Sequence, residues 1–170
     1  FASLDVNLAN QSLTVSNIPG IGSFTAIVEN FENVSGTDND DRLIGDDNNN
    51  TLIGNGGDDI IIASSGNDTY TFGAGTDVID YSNLSESITL IRGGTVDKGS
   101  LGSDRFNDFY ERIIASRNDN DWIDGRTGGG QFASLDVNLA NQSLTVSNIP
   151  GIGSFTAIVE NFENVSGTDN

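Results

Sequence analysis

A nine-residue beat constrains this chain more than any other feature. Asp41, Asn50, Asp59, Asp68 and Asp77 lie nine apart, and Leu43, Leu52, Ile61, Tyr70 and Ile79 follow them, each two residues later. Gly36, Gly45 and Gly54 precede the first three by five residues; Ala63 and Phe72 fill that slot afterwards, with Gly66, Gly73 and Gly75 nearby. One apolar residue in nine builds no globule, but it builds a column if the chain coils and the coils stack. A short strand after each glycine-rich turn points the apolar residue inward and its neighbours outward. Two nonapeptides then close one coil, and turns eighteen residues apart stack along one edge at roughly 4.8 Å.

The expected fold class is therefore all-β, a parallel β-roll or β-solenoid. Composition agrees: hydrophobic residues make up only 35% of the 170, while glycine reaches 21. No capped run with helical period stands out. Residues 1–34 alternate apolar and polar (Leu4, Val6, Leu8; Leu13, Val15; Phe24, Ala26, Val28) and read as strands, with Pro19 and Gly20 turning between them. Residues 81–131 alternate again at Ile88 and Leu90 and pass Gly93, Gly94 and Gly99 before further strand-like pieces.

A second repeat overlies the first. Residues 1–39 recur without a mismatch as residues 132–170, an offset of 131. The expected organisation is one continuous solenoid over residues 1–170. Residues 1–131 form a full period, residues 36–80 its nonapeptide roll, and residues 132–170 the start of the next period. The chain opens on Phe1 rather than Met, so a segment of a longer array is expected. Within the period, residues 110–125 echo residues 31–46 with one residue of slippage.

Charge picks out the chemistry. The net charge is −18, from 25 acidic against 7 basic residues, and between residues 36 and 80 ten aspartates face only Arg42. Nucleic acid is disfavoured as a partner, because its phosphates would be repelled. Histidine, cysteine and methionine are absent, which removes imidazole and thiolate sites and the usual activated nucleophiles. No stretch is long and apolar enough to span a membrane. The phased oxygens are hard ligands suited to calcium, which takes six to eight of them. Stacked carboxylates one coil apart repel unless a divalent ion lies between them. Candidate ligand positions are Gly36, Asn39 and Asp41; Gly45, Asn48 and Asn50; Gly54, Gly57 and Asp59; Gly66 and Asp68; and Gly75 and Asp77. Turns 36–41, 54–59 and 72–77 line one edge, and turns 45–50 and 63–68 the other. Sites are expected at Asp41/Asp59, Asp59/Asp77 and Asn50/Asp68, the last being weakest because Asn50 carries no charge.

The run GTDNDDRLIGDDNNNTLIGNGGDDIIIASSGNDTYTFGAGTD (residues 36–77) resembles the repeats-in-toxin (RTX) nonapeptide family, with consensus GGxGxDxUx. The flanking stretches VENFENVSGT, VIDYSNLSESITL and FYERIIAS are similar to segments joining such blocks in large exported bacterial proteins, notably cyanobacterial ones. The resemblance implies a right-handed roll, Ca2+ on the turns and export of the unfolded chain. It implies a secreted extracellular or cell-surface location, and a structural rather than enzymatic role. The expected function is a calcium-stabilised structural repeat of a fibre or surface layer that assembles end to end or laterally with copies of itself. The alternatives are an adhesin stalk, with cell-surface polysaccharide as a partner, or the folding module of an exported enzyme.

Two apolar features have competing readings. Of Ile60, Ile61 and Ile62 only Ile61 is expected to face the roll core, with the others, like Ile44 and Ile53, covered by neighbouring segments or forming a lateral contact. Phe109, Tyr110 and Trp122 are expected to plug the core where coil shape changes, with sugar binding as the other reading.

Overall fold

The computed structural model describes residues 2–91, 94–124, 134–149 and 153–166. The nine-residue beat becomes a pair of parallel sheets. Strands β1 (Ser3–Asn7), β2 (Ser12–Ile18) and β3 (Gly22–Ile27) open the chain, followed by β4 (Asn33–Ser35), β5 (Arg42–Ile44), β6 (Thr51–Gly56), β7 (Ile60–Ile62), β8 (Thr69–Ala74) and β9 (Val78–Asp80). From β4 to β9 each strand stacks in parallel on the one eighteen residues away: β5, β7 and β9 in one sheet, β4, β6 and β8 in the other. Leu43, Leu52, Ile61, Tyr70 and Ile79 are all 0% exposed. The beat is thus the core column itself.

Beyond Asp80 the coil changes form. Strands β10 (Thr89–Ile91), β11 (Thr95–Asp97) and β12 (Ser103–Phe106) make an antiparallel meander, and β12 returns to lie in parallel on β8. Parallel stacking resumes with β13 (Arg112–Ile114) on β9 and β14 (Trp122–Asp124) on β10. The repeated segment supplies β15 (Ser134–Asn138), β16 (Ser143–Ile149), β17 (Gly153–Glu160) and β18 (Asn164–Ser166). The result is a ten-stranded sheet, β15-β16-β17-β13-β9-β7-β5-β1-β2-β3, and an eight-stranded sheet, β18-β14-β10-β11-β12-β8-β6-β4.

The stack is continuous, but it is not parallel throughout. Residues 3–27 form a three-stranded antiparallel meander, with β1 against β2, β2 against β3, and only β1 joining the roll in parallel through β5. The reason lies in the turns. Asn17, Gly20 and Gly22 take positive φ around Pro19, which folds the chain straight back instead of carrying it around the roll. Among the described residues no α-helix occurs, only short 3-10 turns at Gly99–Leu101 and Leu139–Asn141.

Aromatic side chains fill the core where the coil changes form. Phe72 lies 5.6 Å from Phe106 and 5.8 Å from Tyr110 in edge-to-face contacts, and Phe106 lies 5.0 Å from Tyr110. Tyr110 therefore plugs the core as expected. Trp122 does not: it points outward from β14 at 38% exposure, and Phe109 is similarly exposed. Of the isoleucine run only Ile61 joins the core cluster, as expected; Ile62 is buried outside it, and Ile60 stays exposed.

Candidate metal centre

Each turn ends on a side chain that caps the neighbouring coil. The Asp41 N–H donates to Asp59 Oδ1 at 2.8 Å, and the Asp59 N–H to Asp77 Oδ1 at 2.9 Å. The Asp77 N–H in turn donates to Glu111 Oε2 at 2.7 Å. The result is a ladder of carboxylates up one edge of the roll. On the other edge the Asn50 N–H donates to Asp68 Oδ1 at 2.8 Å, and the Asp68 N–H to Asp104 Oδ1 at 3.1 Å. Asp41, Asn50, Asp59, Asp68 and Asp77 are all buried, so each remaining side-chain oxygen must find a partner or carry a penalty.

What serves that second oxygen depends on the residue after the glycine slot. In turn 36–41 it is Thr37, whose Oγ1 donates to Asp41 Oδ2 at 3.1 Å and whose N–H also reaches that oxygen. In turn 63–68 it is Ser64, whose Oγ donates to Asp68 Oδ2 at 3.3 Å. At Asp121, where the spacing slips by one residue, it is Ser116, five residues before the carboxylate, whose Oγ lies 3.0 Å from both carboxylate oxygens. In turns 54–59 and 72–77 the slot holds Asn55 and Gly73. Asn55 turns its amide away to the Gly36 carbonyl at 2.8 Å, and Gly73 has no side chain. Asp59 Oδ2 and Asp77 Oδ2 are consequently left buried with no hydrogen-bond partner.

These two orphaned oxygens lie on one edge, one coil apart. Burial, with the neighbouring carboxylates adding to it, pushes the Asp59 carboxyl up from its ordinary value to about 7 and raises Asp77 as well. The backbone closes around them. A Cβ on Gly54 would strike Asp59 Oδ2 and lie 2.5 Å from the Phe72 carbonyl oxygen, and a Cβ on Gly36 would lie 2.5 Å from Asp41 Oδ2 and 2.7 Å from the Gly54 carbonyl oxygen. Gly57 (φ +103°), Gly73 (φ +107°) and Gly75 (φ +153°) let the three turns nest with backbone on backbone. Among the described residues no three acidic side chains converge on one point. A hard cation here would be held by Asp59 and Asp77 together with turn carbonyls, a donor set that fits calcium. When bound, it would neutralise carboxylates whose burial and stacking otherwise oppose folding.

The opposite edge is built differently. Lys98, from the loop after β11, buries its ammonium between Asp104 Oδ1 at 2.5 Å and Asp68 Oδ2 at 3.3 Å, with the Ser64 carbonyl at 2.7 Å. The Tyr70 hydroxyl donates to Asp68 Oδ2 at 3.1 Å and the Tyr81 hydroxyl to Asp104 Oδ2 at 3.0 Å. A side-chain cation thus stands between these two carboxylates. Asn50 is held locally, its Oδ1 accepting the Asp46 N–H at 2.7 Å and its amide donating to Asp46 Oδ1 at 3.1 Å.

Asn48 also turns to Asp46 (2.9 Å), and Asn39 gives its amide to the Ala2 carbonyl at 3.0 Å. Gly45 packs beside Asn50 and Ser64, and Gly66 (φ +101°) against the Asn48 carbonyl. The structure therefore brings Asp59 and Asp77 together with open ligand capacity, and gives Asp41, Asn50 and Asp68 protein partners. Sequence reasoning passed over Lys98, Asp104, Glu111 and the Thr37, Ser64 and Ser116 hydroxyls. One signal was present: Asp104 lies 36 residues after Asp68, which is four steps of the same beat.

The family description "RTX calcium-binding nonapeptide repeat (4 copies)" matches residues 35–70 and, one nonapeptide on, residues 44–79. No curated protein matches the chain. No helix among the described residues is long and apolar enough to cross a membrane. The matched repeats bind calcium, and the two buried unpartnered carboxylate oxygens fall within turns of the matched block. Residues 35–79 match the RTX calcium-binding nonapeptide repeat, and this part of the chain is an all-β roll with calcium-binding turns.

Proposed function

We propose that this chain is a calcium-stabilised structural repeat of a secreted extracellular fibre or surface layer. The observation that carries the reading is the 39-residue segment repeated without a mismatch on either side of the roll. A continuous stack of strands bounded by the same segment at both ends is a unit of extension. The role is architectural rather than catalytic: the carboxylates that could serve as acid and base are committed to the ladder, and their phase is that of the turns. Calcium acts as the folding ligand, so that a chain kept unfolded where calcium is scarce folds where it is abundant.

A calcium titration followed by far-UV circular dichroism and sedimentation tests this, with magnesium as control. A calcium-specific gain of β structure accompanied by growing particle size supports a self-assembling fibre. Folding without growth favours a stalk or a folding module instead. Full β structure in excess chelator overturns the calcium-driven mechanism.

A further inference from the structure

The repeated segment occurs here in two different surroundings. In its first copy, β3 and β4 are the terminal strands of the two sheets. In its second copy the matching strands are covered: β17 lies in parallel on β13, with Arg112 opposite Ile158, and β18 on β14, with Trp122 opposite Asn164. The same side chains respond. Phe31 is 56% exposed, whereas the identical Phe162 is 7% exposed. Leu13, Ala26 and Val28 are half-buried, whereas Leu144, Ala157 and Val159 are buried. Strand β3 stops at Ile27, but β17 continues to Glu160, the equivalent of Glu29, where Arg112 meets it at 2.6 Å. On the other side of the segment the contrast reverses. Leu8 is buried where β1 backs onto β5, while Leu139 remains half-buried.

The spacing of the two sheets matches as well. From β3 to its copy β17 the first sheet advances through β3, β2, β1, β5, β7, β9 and β13. From β4 to its copy β18 the second advances through β4, β6, β8, β12, β11, β10 and β14. Each sheet therefore rises by seven strands per period, roughly 34 Å at 4.8 Å per strand. In each sheet three of the seven form the antiparallel meander. Equal rise lets one period follow another with neither sheet stretched against the other. Because the meanders sit at different heights, the joint is stepped. Leu90 and Val96 of one meander share a continuous core with Leu144 and Ala157 of the other.

We infer that the outer edges of β3 and β4, with Phe31 between them, are the docking face for the β13 and β14 end of a preceding copy of the same 131-residue period. The inference deepens the architectural reading above and rests on it. The register follows by subtracting 131 from the second copy. Ile27 pairs with Arg112, Val28 with Ile113 and Glu29 with Ile114 of the preceding period. Asn33 pairs with Trp122, Val34 with Ile123 and Ser35 with Asp124. Its Arg112 meets Glu29, and its Asp121 N–H meets Glu32, as it meets Glu163 here at 2.8 Å. An open strand edge beside an apolar side chain is a template for added strands, and here the chain itself supplies the matching partner.

The test keeps the whole chain and fuses one further copy of residues 1–131 before Phe1. Because the protein has no cysteine, Phe31→Cys gives a single reactive thiol in the unfused chain and in the original chain of the fusion. In calcium, the fusion should slow thiol labelling at this position by about the eightfold drop in exposure from 56% to 7%. In parallel, the chains without the substitution should show slower amide exchange at Ile27 and Asn33 in the fusion. Their equivalents Ile158 and Asn164 donate across the joint to Glu111 and Asp121. Equal labelling and equal exchange in the two chains, with both reaching the same β content in calcium, would overturn the joint while leaving the architectural reading intact.

Discussion

Lys98→Met isolates the contribution of a side-chain cation to a roll with calcium-binding turns. Methionine keeps much of the side-chain length but removes the charge. In the native chain the ammonium lies 2.5 Å from Asp104 and 3.3 Å from Asp68, and the Lys98, Asp68 and Asp104 side chains are all 0% exposed. Removing one member of such a buried group leaves the others uncompensated, which costs about 3–5 kcal/mol. Burial already holds the Asp104 carboxyl up at about 6, with Lys98 opposing the rise. Without Lys98 it must go higher. A folded-state value raised above the ordinary 3.8 favours the protonated fold, so its contribution is fully present below about pH 4 and lost as pH rises through 6 and beyond. The loss in the variant should therefore be largest at pH 7.5 and smaller at pH 5. Urea unfolding in saturating calcium, followed by circular dichroism at both pH values, measures it. Lys98→Met/Asp104→Asn should recover part of the loss at pH 7.5, since one buried charge then remains instead of two. A variant as stable as the native chain at pH 7.5, or a loss identical at both pH values, would refute the reasoning.

Three further outcomes are expected. Gly54→Ala should destabilise the roll by about 1–3 kcal/mol and raise the calcium midpoint, because its Cβ meets Asp59 Oδ2 and the Phe72 carbonyl; isothermal titration against the native chain checks this. In chelator, β structure should increase on acidification from pH 8 to 5, because burial holds Asp59 at about 7 and the metal-free fold favours its protonated form; Asp59→Asn should flatten the profile read by circular dichroism. Phe72→Ala removes the ring that meets Phe106 and Tyr110 and should cost about 3–5 kcal/mol in urea unfolding.

Much of this architecture was legible in one dimension because a solenoid writes its geometry into its period. Leu43 and Ile61 occupy equivalent places in successive coils, so the same chemistry recurs at the same interval and the core can be read off the string. Turn stacking follows from the same arithmetic, which is how Asp59 and Asp77 came to the same edge. Legibility fails where the partner of a residue lies off the beat. Lys98 sits in a loop between antiparallel strands, and nothing in its sequence neighbours points to Asp68, 30 residues away. Trp122 read as a core aromatic, yet its position in β14 alternates outward with Ile123 inward.

The sequence by itself determined the coil length, the core column, the acidic edge and the 131-residue period, because each is a repetition and repetition survives without coordinates. Only the tertiary structure decided which carboxylates keep a buried oxygen without a hydrogen-bond partner. That outcome depends on whether a hydroxyl, an ammonium or nothing reaches the second oxygen of each aspartate: Thr37 reaches Asp41, Lys98 and Ser64 reach Asp68, and no protein group reaches Asp59 or Asp77. It also decided that residues 3–27 fold back as a meander and that both sheets climb seven strands per period. Ligand capacity and strand order are properties of contacts between distant segments, and a spacing along the chain specifies such contacts only where the chain advances by the same step each time.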